Sequence, residues 1–296
     1  MTDATLGERR HLINLAYRLL GTLAEAEDAV QEAYARWYAL SEQQQSAIAS
    51  PGAWLTTVTS RICLDVLGSA RVRRERYVGQ WIPEPLPDPA ADPADRVTLD
   101  ESVTMAFLVA LESMTPAQRV ALVLHDVYRY SFAEVAEITG RTPGACRELA
   151  SSARRRVSAS KPPAAPAVRQ VEVVRDFKNA WEAQDITALV GLLDPTAIFT
   201  ADGGGLVATA LDPIEGGAQI AQFLIAVATT VPGDFTMLER TVNGRPGLLI
   251  QQDGVTSSVY AFDFADDRIT RVWAVRNPEK LRSWLRQGVD GVRPGR

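Results

Sequence analysis

The chain has little of what most catalytic and metal-binding sites are built from. Among 296 residues there are two cysteines, Cys63 and Cys146, and two histidines, His11 and His125. The cysteines fall on different expected helices, with no CxxC spacing and no Cys/His cluster. That argues against a structural zinc and a disulfide framework, and leaves two buried, reduced thiols. Neither histidine has a motif around it, so each reads as a packing or helix-surface residue and not as a general base. No metal and no cofactor is expected. Long apolar runs are also missing, so nothing reaches the length needed to cross a bilayer. Met1 to Arg10 lacks the apolar core of a secretory signal, and the expected location is cytoplasmic, with no membrane partner.

What is present is a long, balanced, soluble composition. A length of 296 residues fits two or three domains. The net charge is −5, and residues 1 to 161 carry 18 Lys plus Arg against 20 Asp plus Glu. A free-standing DNA-binding repressor usually has a basic excess, because phosphate neutralisation supplies most of its non-specific affinity. Here the basic residues are clustered instead, at Arg71–Arg76 and Arg154–Arg156, which suits a protein delivered to DNA by a larger partner. The 28 arginines against three lysines, with abundant alanine, point to a GC-rich genome.

The most informative stretch is Tyr130 to Val157. Ser131 can cap a short helix with Glu134 at capping-box spacing, and Phe132, Val135, Ala136 and Ile138 form its buried face. Gly140 ends it. Thr142 then caps a second helix that opens on Pro143. Ala145, Leu149, Ala153 and Val157 are expected to face inward, leaving Arg147, Glu148, Ser151, Arg154 and Arg155 outward. This is a helix-turn-helix pattern whose second helix would fit a major groove. On this segment alone, an ordinary helical hairpin with a solvated arginine face fits equally well.

Upstream, Arg9–Leu20 and Ala24–Leu40 read as amphipathic helices. The second buries Ala26, Val30, Ala33, Tyr34 and Trp37 and leaves Asp28, Gln31, Glu32 and Arg36 outward, as plain solvation or as a docking surface. A polar loop, Ser41–Ser50, leads to a helix from Pro51 with Trp54, Arg61, Arg71, Arg73 and Arg74. Aromatic and basic groups together suit unpaired nucleic acid, although a lone Trp54 fits core packing at least as well. Gln80–Pro93 contains five prolines and should be stiff, spanning on the order of 40 Å in polyproline geometry. Its hexapeptide Trp81, Ile82, Pro83, Glu84, Pro85, Leu86 is too apolar for a bare spacer. It should be buried against the first domain or against the third.

After a second linker, 161–167, the pattern becomes α+β. An amphipathic helix spans Val168–Gln184 and a short one ends at Leu193. Strands are expected at Ala197–Thr200, Leu206–Ala210, Phe235–Val242, Gly247–Gln251, Ser257–Phe264 and Ile269–Val275, with a helix at Ala218–Thr229. Two helices leading into a curved sheet make a cone with an internal pocket.

The stretches AEAEDAVQEAYARWY and PGAWLTTVTSRICLDVLGSARVRR resemble the core-binding and promoter-melting domain of extracytoplasmic-function (ECF) sigma factors. The stretch from Met114 to Val157 resembles their fourth region, which reads the minus-thirty-five element. The resemblance implies that Asp28, Gln31, Glu32 and Arg36 dock on the beta-prime clamp helices of bacterial RNA polymerase core. It further implies that Trp54 to Arg74 opens the minus-ten element, and that the Thr142–Arg156 helix enters promoter DNA. The second half is similar to the SnoaL-like cone domain that a subgroup carries at the C-terminus. Three markers of that subgroup are present: WIPEPL, the stretch Asp202, Gly203, Gly204, Gly205, Leu206, and Asn277, Pro278, Glu279, Lys280, Leu281. In the subgroup this domain regulates the other two by contacting the linker. Leu206 stands where the subgroup usually has lysine, and Ser152 where arginine is common.

The expected organisation is therefore multidomain. Sigma region 2 spans 1–79, the proline-rich linker 80–95, and the helix-turn-helix of region 4 spans 96–160. A linker at 161–167 leads to an α+β SnoaL-like domain at 168–296. The expected function is a sigma factor, not an enzyme, with room for a small ligand in the C-terminal pocket. The alternatives are a ligand-responsive helix-turn-helix regulator and a cyclase or isomerase using Asp202, Asp212, Tyr260 or Asp263.

Overall fold

The computed structural model describes residues 3–74, 77–87, 103–159, 167–230 and 235–285. They divide into two compact units. One holds nearly all of the helices before residue 161, and the other joins Tyr77–Asp88 and Glu101–Ala106 to everything from Lys161 onward.

The first unit opens with α1 (Asp3–Leu20), α2 (Leu23–Tyr38), α3 (Glu42–Ala47) and α4 (Pro51–Arg74). Apolar residues at helical spacing bring Leu12, Leu15, Leu19, Val30, Ala33, Leu55 and Cys63 into one buried seam. The short α3 lies in the stretch expected as a polar loop. Ser41 and Gln44 form a capping box, with the Gln44 amide to Ser41 Oγ at 3.3 Å and the Ser41 amide to Gln44 Oε1 at 2.9 Å. That reciprocal cap satisfies donors that would otherwise need water, which is enough to start a helix without an apolar face.

Next come α5 (Met105–Glu112), α6 (Pro116–Leu122), a π-helical turn at Val123–Val127, α7 (Phe132–Thr139) and α8 (Pro143–Ala159). Both capping signals read from the sequence form: Glu134 N–H reaches Ser131 Oγ at 3.3 Å, and Ala145 N–H reaches Thr142 Oγ1 at 3.2 Å. Gly140 ends α7 with φ +65°, a backbone angle glycine adopts without strain. The inward face of α8 differs from the expected one. Cys146, Ala150 and Ala153 are fully buried, whereas Ala145 and Leu149 border a surface depression with Arg147, Glu148 and Ser151. The stripe is rotated because the small side chains at 146, 150 and 153 allow a closer approach of α8 to α6 and α7.

Two buried arginines join the early helices to the later ones. Arg119 is 2% exposed; its guanidinium donates to Leu19 O and pairs with Glu112, both at 2.8 Å. Burial lowers its pKa to about 10. Arg18 donates to the Tyr128 hydroxyl at 2.5 Å, and His11 meets the same ring edge-on at 5.0 Å.

The second unit contains α9 (Ala167–Glu182), α10 (Ile186–Leu192), β1 (Leu193–Asp202), β2 (Ile214–Glu215) and α11 (Gly217–Thr230). It ends with β3 (Phe235–Val242), β4 (Arg245–Gln252), β5 (Val255–Ala265), β6 (Arg268–Val275), a 3-10 turn at Pro278–Lys280 and α12 (Arg282–Leu285). The sheet order is β2-β1-β6-β5-β4-β3, antiparallel except for the parallel pair β1 and β6. Asn243 and Gly244, at φ +49° and +71°, make the tight turn between β3 and β4. The expected strand at Leu206–Ala210 does not form. Leu206 and Val207 amides both turn back to Gly203 O, at 3.0 and 3.2 Å, and Gly204 and Gly205 take φ of +63° and +72°. A chain that curls on itself in this way has no free ladder to offer a neighbour.

Period-two alternation divides the strands into two buried faces. Phe199, Tyr260, Phe262, Val272 and Ala274 join Phe177, Trp181 and Leu224 in the core under the helices. Val259, Ala261, Trp273 and Val275 point the other way and are buried too.

Candidate functional site: a held linker and exposed faces of three helices

The residues read from the sequence as regulatory converge in the second unit. Asp202 ends β1 with a fully buried side chain. Its Oδ1 accepts from the Tyr77 hydroxyl at 2.6 Å and from Gly204 N–H at 3.0 Å. Its Oδ2 accepts from Ile82 N–H at 2.9 Å and from Lys280 Nζ at 2.7 Å. One carboxylate thus holds Tyr77 just before the linker, Ile82 within it, the glycine loop and the NPEKL turn. Lys280, 5% exposed, also donates to Ile82 O at 2.5 Å and lies 4.0 Å from the centroid of the Trp81 ring. Such a desolvated cation over an indole is worth about 2 kcal/mol. Asn277 donates to the Tyr77 hydroxyl at 2.8 Å while its Oδ1 caps the following turn at Glu279 N–H. Burial, then the Asp202 hydrogen bond, push the Tyr77 phenol well above its ordinary pKa.

The far end of the hexapeptide is held separately. Leu86 N–H donates to Asn243 Oδ1 at 3.0 Å and Asn243 N–H to Leu86 O at 2.9 Å. Pro87 bridges Val242, and the Trp284 indole donates to Pro85 O at 2.7 Å. Ile82 and Leu86 are 1% and 4% exposed, and Pro83, Glu84 and Pro85 are buried between them. Of the two expected burial partners for WIPEPL, the observed one is the C-terminal domain. Leu281 is buried behind the NPEKL turn, while Pro278 and Glu279 face outward. Leu206 is 62% exposed, so an apolar side chain stands at the loop surface where no partner is needed.

Tyr77, Asn243 and Trp284 were not singled out in the sequence. Tyr77 precedes the hexapeptide by four residues, Trp284 follows NPEKL by three, and Asn243 carries an Asn-Gly turn signal. Only Asn243 had a local reason to be noticed, and that reason concerned the turn, not the linker.

In the first unit, Asp28, Gln31 and Glu32 lie exposed on α2, and Arg36 pairs with Glu32 at 2.9 Å on the same face. Trp54 is half-buried, edge-on to Trp37 at 5.3 Å, so it is packed against α2. Arg61 is exposed and donates to Glu137 O at 2.8 Å. Arg71, Arg73 and Arg74 lie on the last turn of α4, and their side chains fall outside the described residues. On α8, Arg147 sits 5.3 Å from the Phe132 ring centroid, Arg155 donates to Ser151 Oγ at 3.2 Å, and Arg154 grips Asp126 with two bonds at 2.6 and 2.7 Å. Glu148 is exposed beside them. Ser131 and Thr142 are occupied as helix caps. Ser152 accepts from Gln118 Nε2 at 3.2 Å.

The acids considered for catalysis do not share a cavity. Asp202 is taken up by the linker, Asp212 is exposed, and Asp263 lies on the face of β5 opposite the core side chains Tyr260 and Phe262. Cys63 and Cys146 are free thiols in the core, and burial raises the Cys63 pKa. Among the described residues no Cys/His/Asp/Glu group could hold a metal, and no helix is long and apolar enough to cross a membrane.

Two helical modules of the DNA-reading kind, followed by an α+β cone that holds the chain between them, define a multidomain transcription protein. The domain family described as Sigma-70 region 2 matches residues 7–76, and Sigma-70 region 4 matches 104–157. The chain belongs to the ECF RNA polymerase sigma factors. It is 40% identical to the ECF RNA polymerase sigma factor SigJ of Mycobacterium tuberculosis over 288 residues, covering 92% of this chain and 90% of that one. It is 34% identical to the probable ECF RNA polymerase sigma factor SigI of the same organism, covering 95% and 94%. The crystal structure of the M. tuberculosis SigJ superposes with a TM-score of 0.77 at 35% identity, over 95% of this chain and 98% of that one. The match extends through the SnoaL-like domain.

Proposed function

We propose that this sigma factor is controlled in cis by its SnoaL-like domain, which grips the linker between regions 2 and 4. The single observation that carries the reading is the buried Asp202–Lys280 pair closed over the Ile82 peptide and Tyr77. A free proline-rich linker reaches on the order of 40 Å. One held at Tyr77 and again at Leu86 cannot adjust the separation of the two modules along that stretch. Function then follows a two-state logic, in which promoter output depends on the fraction of molecules whose linker is released.

Within this reading the exposed face of α2, with Asp28, Gln31, Glu32 and Arg36, docks on polymerase core. The end of α4 engages the melted promoter strand, and Arg147, Ser151, Arg154 and Arg155 on α8 meet upstream DNA. The acidic net charge supports delivery by polymerase over independent binding. Catalysis is not part of the proposal, since the relatives are sigma factors and the candidate carboxylates stand apart.

The test is transcription in vitro with bacterial core polymerase, a promoter library and the full chain as wild type, Trp81→Ala and Lys280→Met. Initiation should depend on the chain, and both variants should change its yield several-fold. Equal output from all three would defeat linker control, and no initiation with intact duplex binding would favour an independent regulator.

A further inference from the structure

A cavity of about 760 Å³ lies inside the cone, within the range of small-molecule sites. Its wall is mostly apolar, with the rings of Trp181, Phe199, Phe223 and Phe235 beside Met237 and Ile250. The Trp181 indole N–H is already committed to Leu224 O at 3.0 Å, so it offers only its ring. Polar groups gather where β5 and β6 border the cavity, as Ser258, Tyr260 and Arg276. Burial pushes the Tyr260 pKa up to about 12, so its hydroxyl stays neutral, and the Arg276 guanidinium is the group here that can only donate. Among the described residues the only acid in the lining is Glu182, which is exposed. A donor-rich end on an aromatic slot selects a molecule of the complementary kind.

The cavity and the held linker share one loop. Gly204 and Gly205 pack so closely on their neighbours that an added Cβ would collide with Asn277 at the first and meet Val78 at 3.0 Å at the second. Ala208, Thr209 and Ala210, a few residues on, line the cavity. Arg276 joins the two sides: its guanidinium donates to Ala208 O at 2.6 Å, and its backbone N–H donates to Asp202 O at 2.7 Å. The guanidinium has five donors, so a second acceptor can bind without displacing Ala208.

We propose that this cavity binds a flat aromatic molecule bearing one acceptor oxygen group, carbonyl or anionic, at its Arg276 end, and that occupancy holds the linker closed. The regulatory meaning of that coupling rests on the linker reading above; the binding does not. A ligand packed on Ala208–Ala210 adds contacts to the loop in the arrangement that clamps Tyr77, so it favours the closed state by its differential affinity.

The test uses the full chain and 8-anilinonaphthalene-1-sulfonate, an aromatic anion whose fluorescence rises in apolar sites. Binding should saturate at one site. Ala210→Trp, which fills the cavity, and Arg276→Gln, which removes the charge, should each weaken it about tenfold or more. At a probe concentration about ten times Kd, hydrogen exchange at the Ile82 amide should slow roughly tenfold. Non-saturable binding, or wild-type binding by both variants with wild-type melting curves, overturns the site. One-site binding with unchanged Ile82 exchange overturns the coupling. Neither readout uses transcription, so a failure here is distinguishable from a failure of linker control.

Discussion

Replacing Lys280 with methionine keeps the unbranched stem, one atom shorter, and removes the ammonium. The carboxylate it faces has no exposed surface, and the lysine side chain itself is 7% exposed. Water therefore cannot take over the pairing. Asp202 would keep three neutral donors, from Tyr77, Ile82 and Gly204, around an uncompensated charge. Breaking a buried pair in this way costs about 3–5 kcal/mol, and the lost contacts to Ile82 O and the Trp81 ring act in the same direction. Because the penalty is relieved when the linker leaves, it should emerge as easier local opening. At about 1.4 kcal/mol per decade, exchange of the Ile82 amide should accelerate about 10²- to 10⁴-fold in Lys280→Met. The assay is amide hydrogen exchange on the full chain, with β5 amides as the internal reference. Less than a tenfold change at Ile82 would refute the reasoning. An equal acceleration across β5 would also refute it, because the pair would then support the whole domain and not the linker.

Further outcomes follow from the same site. Each oxygen of Asp202 accepts two donors, so an asparagine must turn its NH₂ toward a pair of donors in either orientation. In the same exchange assay Asp202→Asn should be at least as damaging as Lys280→Met, and the double variant should cost less than the sum, since no charge is left buried. Gly204→Ala forces a positive φ on alanine and drives its Cβ into the Asn277 amide, so linker docking should lose about 2–4 kcal/mol. Gly244→Ala, at φ +71° with nothing within 4 Å, should cost only about 1 kcal/mol of strain; equal effects in denaturant titrations would contradict the packing. The Tyr77 phenol is held neutral above its ordinary value of 10.0. Its contribution is fully present below that pH and is lost as pH rises through the higher bound value. In absorbance titrations at high pH, the difference between wild type and Tyr77→Phe should develop only above that ordinary value. A difference centred on it would mean that the hydroxyl is not held by Asp202.

Legibility from sequence divided along the length scale of the interactions. Capping at Ser131 and Thr142 is decided within three residues, so spacing alone revealed it. The helices and most strands carry their burial in periodicity, and these too were readable. The inward face of α8 was not, because Ala145 with Leu149 and Cys146 with Ala150 make two adjacent stripes that only the packing partner distinguishes. The seam that won runs through Cys146, Ala150 and Ala153. The expected strand at Leu206–Ala210 was lost to Gly204 and Gly205, whose backbone angles no hydrophobic pattern reports. The linker site was half visible. Trp81, Ile82 and Leu86 announced burial by being apolar, but their domain's anchors lie 120 positions away for Ile82 with Asp202 and 199 for Pro85 with Trp284.

The arginines proposed for DNA show why control should fall on the linker and not on the reading helix. Arg154 is tied to Asp126, Arg61 to Glu137 O, and Arg147 rests on Phe132. All three arginines are exposed, and an ion pair in such a setting contributes about 0–1 kcal/mol. Such contacts orient a guanidinium yet release it readily to a phosphate or a guanine edge. They cannot keep a promoter-bound state from forming. Under the proposed linker control the buried Asp202–Lys280 cluster is the stronger restraint, because its carboxylate and ammonium are both withdrawn from water. The contacts of the exposed arginines on α4 and α8 are thus weak and the Asp202–Lys280 contact is strong, so under that control a modest shift in free energy at the linker would change how many molecules engage a promoter.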